Sequence, residues 1–473
     1  MLFRSEQKGK ILAAMGVAYQ DLNKLDDALR NYQQALEIRK KVGDQSGLAS
    51  TLGQIAQVQD MQGNFNAALA SYKEAIDVDR KIGDKTGLAR NLMNLGTLYH
   101  DHGKYNEALS FTGQALQLYR DTGDELSQAQ CLNNIGSSHA YKGEYQDALT
   151  YFEQAYQIRD RLKLRDDAIE SLHNLAETNV KLGQYDVALS QYLKALEARR
   201  SANDKSGAAA ESSSMGALFA TQGNYGQAVG ALQDAVQGFQ QTNDRTWMMA
   251  EAQSRYGDVL SAVGREDEGR KYIEDALKLA TELKNDTVVA EALNALGDSY
   301  FYGGDYASAR QQYERALQTA NKAALREQVV ISKLNLARVD VAQGRFQVAA
   351  PVLKKLIQDA DSMGLKAQSV EASVYLGAAL LATNQVDAAT RELDAALGRA
   401  EKLGLHIEQA RAQFLLGNAS AHSGRSQEAV SHYRQTVAIL ESISKEDGAT
   451  RVLERADLKD IYRDAAKSYQ GRT

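Results

Sequence analysis

The sequence predicts an all-α protein built as an α-solenoid, a row of antiparallel helix pairs that share one continuous core. Three observations predict it. Proline occurs once, at Pro351, in 473 residues; a small residue returns every 40 positions; and a glycine or asparagine stands midway between returns. Turns and edge strands use proline freely, whereas helix interiors exclude it. A chain of this length would ordinarily make about three globular domains, and the repeat replaces that division.

The returning residues are Gly16, Ala56, Gly96, Gly136, Ala176, Gly216, Gly257, Gly297, Ala337, Gly377 and Gly417, eleven anchors with a single step of 41 after Gly216. A large aliphatic residue precedes the anchor, as at Leu95, Ile135 and Leu296, and an aromatic follows three later at Tyr19, Tyr99, Phe219 and Tyr300. Twelve after the anchor stands alanine, or Gly269 in one copy, and four further on Tyr32, Tyr72, Phe152, Tyr192, Tyr313 or Tyr433. Small residues at both places let two helix backbones approach closely, with aromatic side chains filling the space beside them.

Between the halves stand Gly63, Gly103, Gly143, Gly183, Gly223, Gly264, Gly304, Gly344 and Gly424, replaced only by Asn23 and Asn384. These two residue types take a left-handed helix end at least cost. Gly43-Asp44, Gly83-Asp84, Gly123-Asp124, Asn203-Asp204 and Asn243-Asp244 stop one unit and cap the next, leaving each helix about 18 residues, roughly 27 Å.

The units read as 4–43, 44–83, 84–123, 124–163, 164–203, 204–244, 245–284, 285–324, 325–364, 365–404 and 405–444, an array over 4–444. The inserted residue, Gly226, Gly230 and Gly238 in one helix, and Gly269 in place of alanine suggest either repeat drift or a joint near 244. Residues 445–473 are expected to form a closing helix. Leu458, Ile461, Tyr462, Ala465 and Tyr469 make its apolar stripe, and Arg451, Glu454, Arg455, Lys459, Arg463, Asp464 and Lys467 its polar side. At the front, Met1, Leu2 and Phe3 lead directly into the first helix, so a longer parent chain and self-association through the first repeat are both expectations.

The spacing resembles the tetratricopeptide repeat. In the third copy Leu95, Gly96, Tyr99, Gly103, Lys104, Tyr105, Ala108 and Ala115 stand where that family places its signature. The unit is six residues longer than the common one and lacks its terminal proline. It is similar in this to the long-helix arrays of kinesin light chain, the Leu-Gly-Asn adaptors and bacterial signalling proteins. The resemblance implies a right-handed superhelix whose concave face binds protein or peptide.

Net charge is −6, from 55 Lys and Arg against 61 Asp and Glu, with both signs interspersed, so nucleic acid is not an expected partner. One cysteine, Cys131, excludes a disulfide framework and a multi-cysteine metal centre. No apolar run approaches a membrane span, and a cytoplasmic location is mildly favoured. No His-Glu-x-x-His, Gly-x-Ser-x-Gly or phosphate-binding loop occurs, so no catalytic residue, metal or cofactor is expected and the chain does not read as an enzyme. His139 takes a core aromatic position. His100, His102 and His173 lie in neighbouring repeats, where lining a groove is favoured over holding a metal.

On the first helix of each unit, the positions six and two before the anchor and one and five after it lie about 180° from the core stripe. In tetratricopeptide arrays that opposite stripe lines the concave surface. Gln54, Asn94, Asn134 and Asn174 stand two before the anchor in consecutive copies, and Asn335 does so later. An amide side chain offers donors and an acceptor to a peptide backbone without demanding a particular side chain. The row resembles the asparagine rows of Leu-Gly-Asn adaptors and bacterial pheromone receptors. The expected groove comprises Gln54, Arg90, Asn94, Gln130, Asn133, Asn134, Tyr141, His173, Asn174 and Lys181, with Thr97, Asp101, Ser137, Glu170 and Glu177 beside them. Asparagines bonding only between adjacent repeats remain the alternative. The Lys-x-x-x-Asn clamp for chaperone C-termini is not matched. The functional expectation is a scaffold binding an extended segment, or alternatively the sensor or docking region of a larger bacterial signalling protein such as a kinase, cyclase or transcription regulator.

Overall fold

A computed structural model describes residues 2–470. Among the described residues 86% are helical and no strand occurs. Twenty-two α-helices of 16 to 20 residues pair off in order, from Leu2–Asp21 with Leu25–Val42 to His406–His422 with Ser426–Ser444. A 3-10 turn, Val452–Glu454, and a last helix, Ala456–Gln470, follow. Met1, part of the expected bare front, lies outside the described residues, as do residues 471–473. No helix among the described residues is long and apolar enough to cross a membrane.

The helix ends form where the residue types require. All eleven mid-unit stops take a positive φ, 55° at Asn23, 63° at Asn384 and 69–83° at the nine glycines. Asp44, Asp84, Asp124 and Asp204 each accept a backbone N–H from three residues on, at 2.8–3.1 Å, satisfying a donor that the helix itself cannot. The inserted residue is absorbed in the connection 242–246, where Thr246 is extended (φ −93°, ψ 172°) and donates its N–H to Asp244 at 2.9 Å. Pro351 departs from the expectation that helices exclude it. It is the sixth residue of Phe346–Ser362, exposed to solvent, where its missing N–H forfeits the bond to the Gln347 carbonyl.

The anchors work by closeness. A Cβ added at Gly16, Gly297 or Gly417 would fall 2.4–2.6 Å from the ring of Tyr32, Tyr313 or Tyr433. Three rings at this position reach past the anchor to the residue after it. Tyr192 donates to Glu177 at 2.6 Å, Tyr313 to Asp298 at 2.8 Å and Tyr433 to Asn418 at 2.7 Å. The buried knob of one helix therefore fixes a side chain on the stripe that faces away from its partner helix.

The chain forms two compact units, Met1–Leu175 and Ala176–Thr473. The division falls inside the helix Arg165–Lys181, and the joint expected near 244 lies within the second unit. In the first unit Tyr72, Leu92, Leu95, Leu98, Tyr119 and Ile135 belong to one core. In the second, a single core runs from Tyr192 and Phe219 through Tyr302 to Ile407, Val452 and Leu458. The closing segment thus differs from a helix spanning 445–473. Residues 445–455 are non-helical apart from the 3-10 turn, and the helix starts at Ala456. Leu458 and Ala465 are fully buried as the apolar stripe requires, but Arg455, expected on the polar outer side, is buried as well.

Candidate functional site

In the first unit none of the stripe residues from Ser50 to Asn174 is buried. Arg90, Thr97, Asp101, Gln130 and Tyr141 are exposed; Gln54, Asn94, Asn134, Ser137 and Asn174 are half-buried. The Oε1 of Gln54 has no hydrogen-bond partner among the described residues. Asn134 makes a long contact, 3.4 Å, to Thr97 Oγ1 in the preceding repeat. Asn133 is off the stripe's phase by one residue and is buried; its amide donates to Glu170 at 3.5 Å and its Oδ1 accepts from Asn174 at 3.0 Å. Bonding between neighbouring repeats is therefore realised at Asn133 and Asn174.

Tyr141 is 69% exposed, its ring 5.7 Å from Tyr105 and 5.0 Å edge-on from His100. This aromatic cluster presents a face for an apolar or cationic side chain. His100 Nδ1 lies 3.0 Å from Ser138 Oγ, and burial lowers its pKa; His102 Nδ1 meets the Leu98 carbonyl at 2.9 Å. His173 is half-buried near the end of the same unit. His139 stacks on Tyr151 at 5.3 Å and lies 2.7 Å from Glu144. His139, Glu144 and Asp147 bring three potential ligand atoms within 4.8 Å of one another, but Lys142 Nζ, 2.7 Å from Glu144, already supplies the positive charge. Together with His139 it holds the Glu144 carboxyl below its ordinary value.

Lys181, the last of the expected groove residues, belongs to the second unit, where its ammonium pairs with both oxygens of Glu327 at 2.7 and 2.9 Å. Here the same stripe is occupied rather than open. Continued along the array, the spacing rule reaches Arg255, Asp258, Asp298, Tyr302, Arg338, Glu371, Tyr375 and Arg411, which the row of asparagines did not bring to attention. Arg338 is 7% exposed, 3.1 Å from Asp298 and 3.3 Å from Glu371, with its guanidinium 4.6 Å over Phe301. Arg411 lies over Tyr375 and pairs with Glu408 at 3.3 Å and with Asp457.

The closing segment supplies the remaining partners. Arg455 stacks 3.9 Å over Tyr302, donates from Nη1 to Tyr225 Oη at 2.9 Å, and grips Asp457 from Nε and Nη2 at 3.0 and 2.8 Å. At the segment's start, the backbone N–H of Gly226 donates to Glu446 at 2.7 Å. That N–H is one of the unsatisfied donors in the first turn of Tyr225–Gln241, so the carboxylate caps it. A Cβ at Gly226 would fall 2.6 Å from the Asp447 carbonyl, so only glycine leaves room for the segment.

Burial sorts the carboxyls. Burial and then the neighbouring Asp298 push Asp258 up to about 8; burial and then Glu251 push Glu291 up to about 8. Against its own burial, Asp457 is held well below the usual carboxylate range by Arg455 and Arg411.

Comparison with known proteins accounts for the architecture. Residues 9–81, 62–121, 87–161, 127–201, 167–241 and 248–322 match one tetratricopeptide repeat description, and residues 334–403 and 379–442 match another. No curated protein matches the chain in sequence. Among solved structures, apo RapI superposes with a TM-score of 0.51 at 16% identity, over 58% of this chain and 98% of that one. The apo quorum sensor NprR from B. thuringiensis gives 0.53 at 15% identity, over 72% and 99%. A Rap protein complexed with competence and sporulation factor gives 0.54 at 12% identity, over 76% and 99%. At such identities the likeness is one of fold.

Proposed function

Since the chain belongs to the tetratricopeptide-repeat family, we propose that it is a non-enzymatic scaffold that holds an extended peptide or partner segment along the stripe of its first unit. The observation that carries this reading is the openness of that stripe: from Ser50 to Asn174 every stripe position keeps solvent access, and most are polar. Gln54, Asn94 and Asn134 offer amides to a peptide backbone, Arg90 and Asp101 offer both charges, and Tyr141 offers an aromatic face. Rigid helix pairs leave the cost of ordering to the ligand alone. The complex of a Rap protein with competence and sporulation factor supports the idea that a fold of this kind receives a ligand.

The test is selection of extended peptides from a random 12-residue library against the whole chain, followed by binding of the selected peptides to a variant carrying Asn94→Ala, Asn134→Ala and Asn174→Ala. A loss of at least about tenfold, roughly 1.4 kcal/mol, is expected with unchanged helicity. No enriched peptide, or equal binding by the variant, refutes the assignment.

A further inference from the structure

We propose that the inner stripe of the second unit is a second binding site, specific for a turn-forming segment presenting an arginine two residues before an aspartate, and that in this chain residues 446–457 fill it as a resident ligand. The inference does not depend on the first-unit groove, since every residue it uses lies within Ala176–Thr473.

Four observations carry it. First, the segment is held the way a peptide is held. Its backbone is non-helical through residue 455 except for one 3-10 turn, and its last two residues open the final helix; Ala449 and Val452 are fully buried, and Glu446 caps a helix 220 positions away. Second, one side chain makes the specific contacts. Arg455 is 2% exposed, uses a flat guanidinium against the Tyr302 ring, and reaches Tyr225 across 230 positions of sequence. Such buried, planar, multiply bonded arginines are the anchors of peptide interfaces.

Third, the receptor surface holds a buried polar group that the resident segment does not satisfy. Asp258 Oδ1 is buried without a hydrogen-bond partner among the described residues, although its carboxyl feels the charge of Arg455. A permanent strut is built more cheaply from hydrocarbon, because replacing buried ion pairs by apolar side chains is often neutral or stabilising. An unused buried acceptor instead suits a donor group that comes and goes. Fourth, the aspartate two residues on is part of the recognition: Asp457 binds Arg411 of the receptor as well as Arg455 of its own segment, so arginine and aspartate dock as one unit.

A competing segment needs only these two side chains in the same register. Its binding would displace residues 446–457 and with them the contact that starts the final helix.

The experiment uses the full chain and a labelled synthetic peptide with the sequence of residues 449–458, read by fluorescence anisotropy. Wild-type chain, whose site is occupied, is expected to bind weakly. Two loosened chains are expected to bind at least about tenfold more tightly: Arg455→Ala, which removes the resident anchor, and Gly226→Ala, which blocks the seat of Asp447 outside the stretch the peptide covers. The peptide with alanine in place of Arg455 should lose that gain, whereas alanine in place of Arg451 should not. Peptide should also raise the thermal midpoint of Arg455→Ala by mass action. The Gly226→Ala chain keeps every buried charge and an intact helix, so it carries the test if Arg455→Ala does not fold. Equal binding to wild-type and loosened chains, binding indifferent to alanine in place of the peptide's Arg455, or no binding to either loosened chain overturns the proposal.

Discussion

Two isosteric substitutions within one buried cluster should have opposite consequences. Asp457 is 6% exposed and accepts from Arg455 at 2.8 and 3.0 Å and from Arg411, which are themselves 2% and 6% exposed. Asp457→Asn leaves two buried guanidinia facing an amide. Breaking such a buried pair costs about 3–5 kcal/mol, which for a unit of this size lowers Tm by about 5–8 °C. Asp258 has a carboxyl pushed up to about 8, so at pH 6 it is already neutral, and Asp258→Asn should leave Tm within about 3 °C of wild type. The pH dependence separates them further. A raised carboxyl contributes stability that is fully present below its unfolded value near 4 and is lost as pH rises through about 8. Wild type should therefore lose stability between pH 6 and 8.5, and Asp258→Asn should lose less and melt above it at pH 8.5. The depressed Asp457 acts in the other direction: its stabilisation is present above the unfolded value and is lost as pH falls toward its folded value. Trp247, the only tryptophan, is half-exposed in the second unit and reports its unfolding by fluorescence. Equal losses for the two variants at pH 6, or a silent Asp457→Asn, would refute the electrostatic account.

Two further outcomes test other parts of the structure. Cys131 is fully buried in the first unit, and burial and then Asp124 push its thiol up to about 12, so Ellman's reagent at pH 8 should leave the folded chain unmodified and titrate one thiol after denaturation; rapid reaction of the native chain would contradict the packing of that helix. Pro351→Ala should restore the bond to the Gln347 carbonyl and stabilise the second unit by about 1–3 kcal/mol in denaturant titrations followed at Trp247, and an unchanged midpoint would mean that the helix already relaxes around the proline.

What the sequence discloses follows from the range over which each feature is determined. Helix ends are decided within a few residues, because a left-handed φ is cheap only for glycine and asparagine, and all eleven mid-unit stops are legible for that reason. The stripe opposite the core is legible too, since 100° per residue is a property of any α-helix, and the same phase reaches Asn94 in the first unit and Arg338 in the second. The phase alone does not tell an open stripe from a filled one. Asn133 and Asn134 are adjacent in sequence, yet one residue of rotation buries the first against the next repeat and leaves the second half-exposed. The occupancy of the second unit depends on where residues 446–457 return, a contact between Arg455 and Tyr225 that no 40-residue period encodes. One local trace of it was in view. Gly226 weakens a helix near its start at a position where alanine would be the better helix former, and in the folded unit the Asp447 carbonyl takes the space its Cβ would need. At this position the other copies carry Asp, Asn, Gln or once Ala, all better tolerated in a helix than glycine, so Gly226 is the one sequence-level departure that coincides with a backbone docking from elsewhere in the chain.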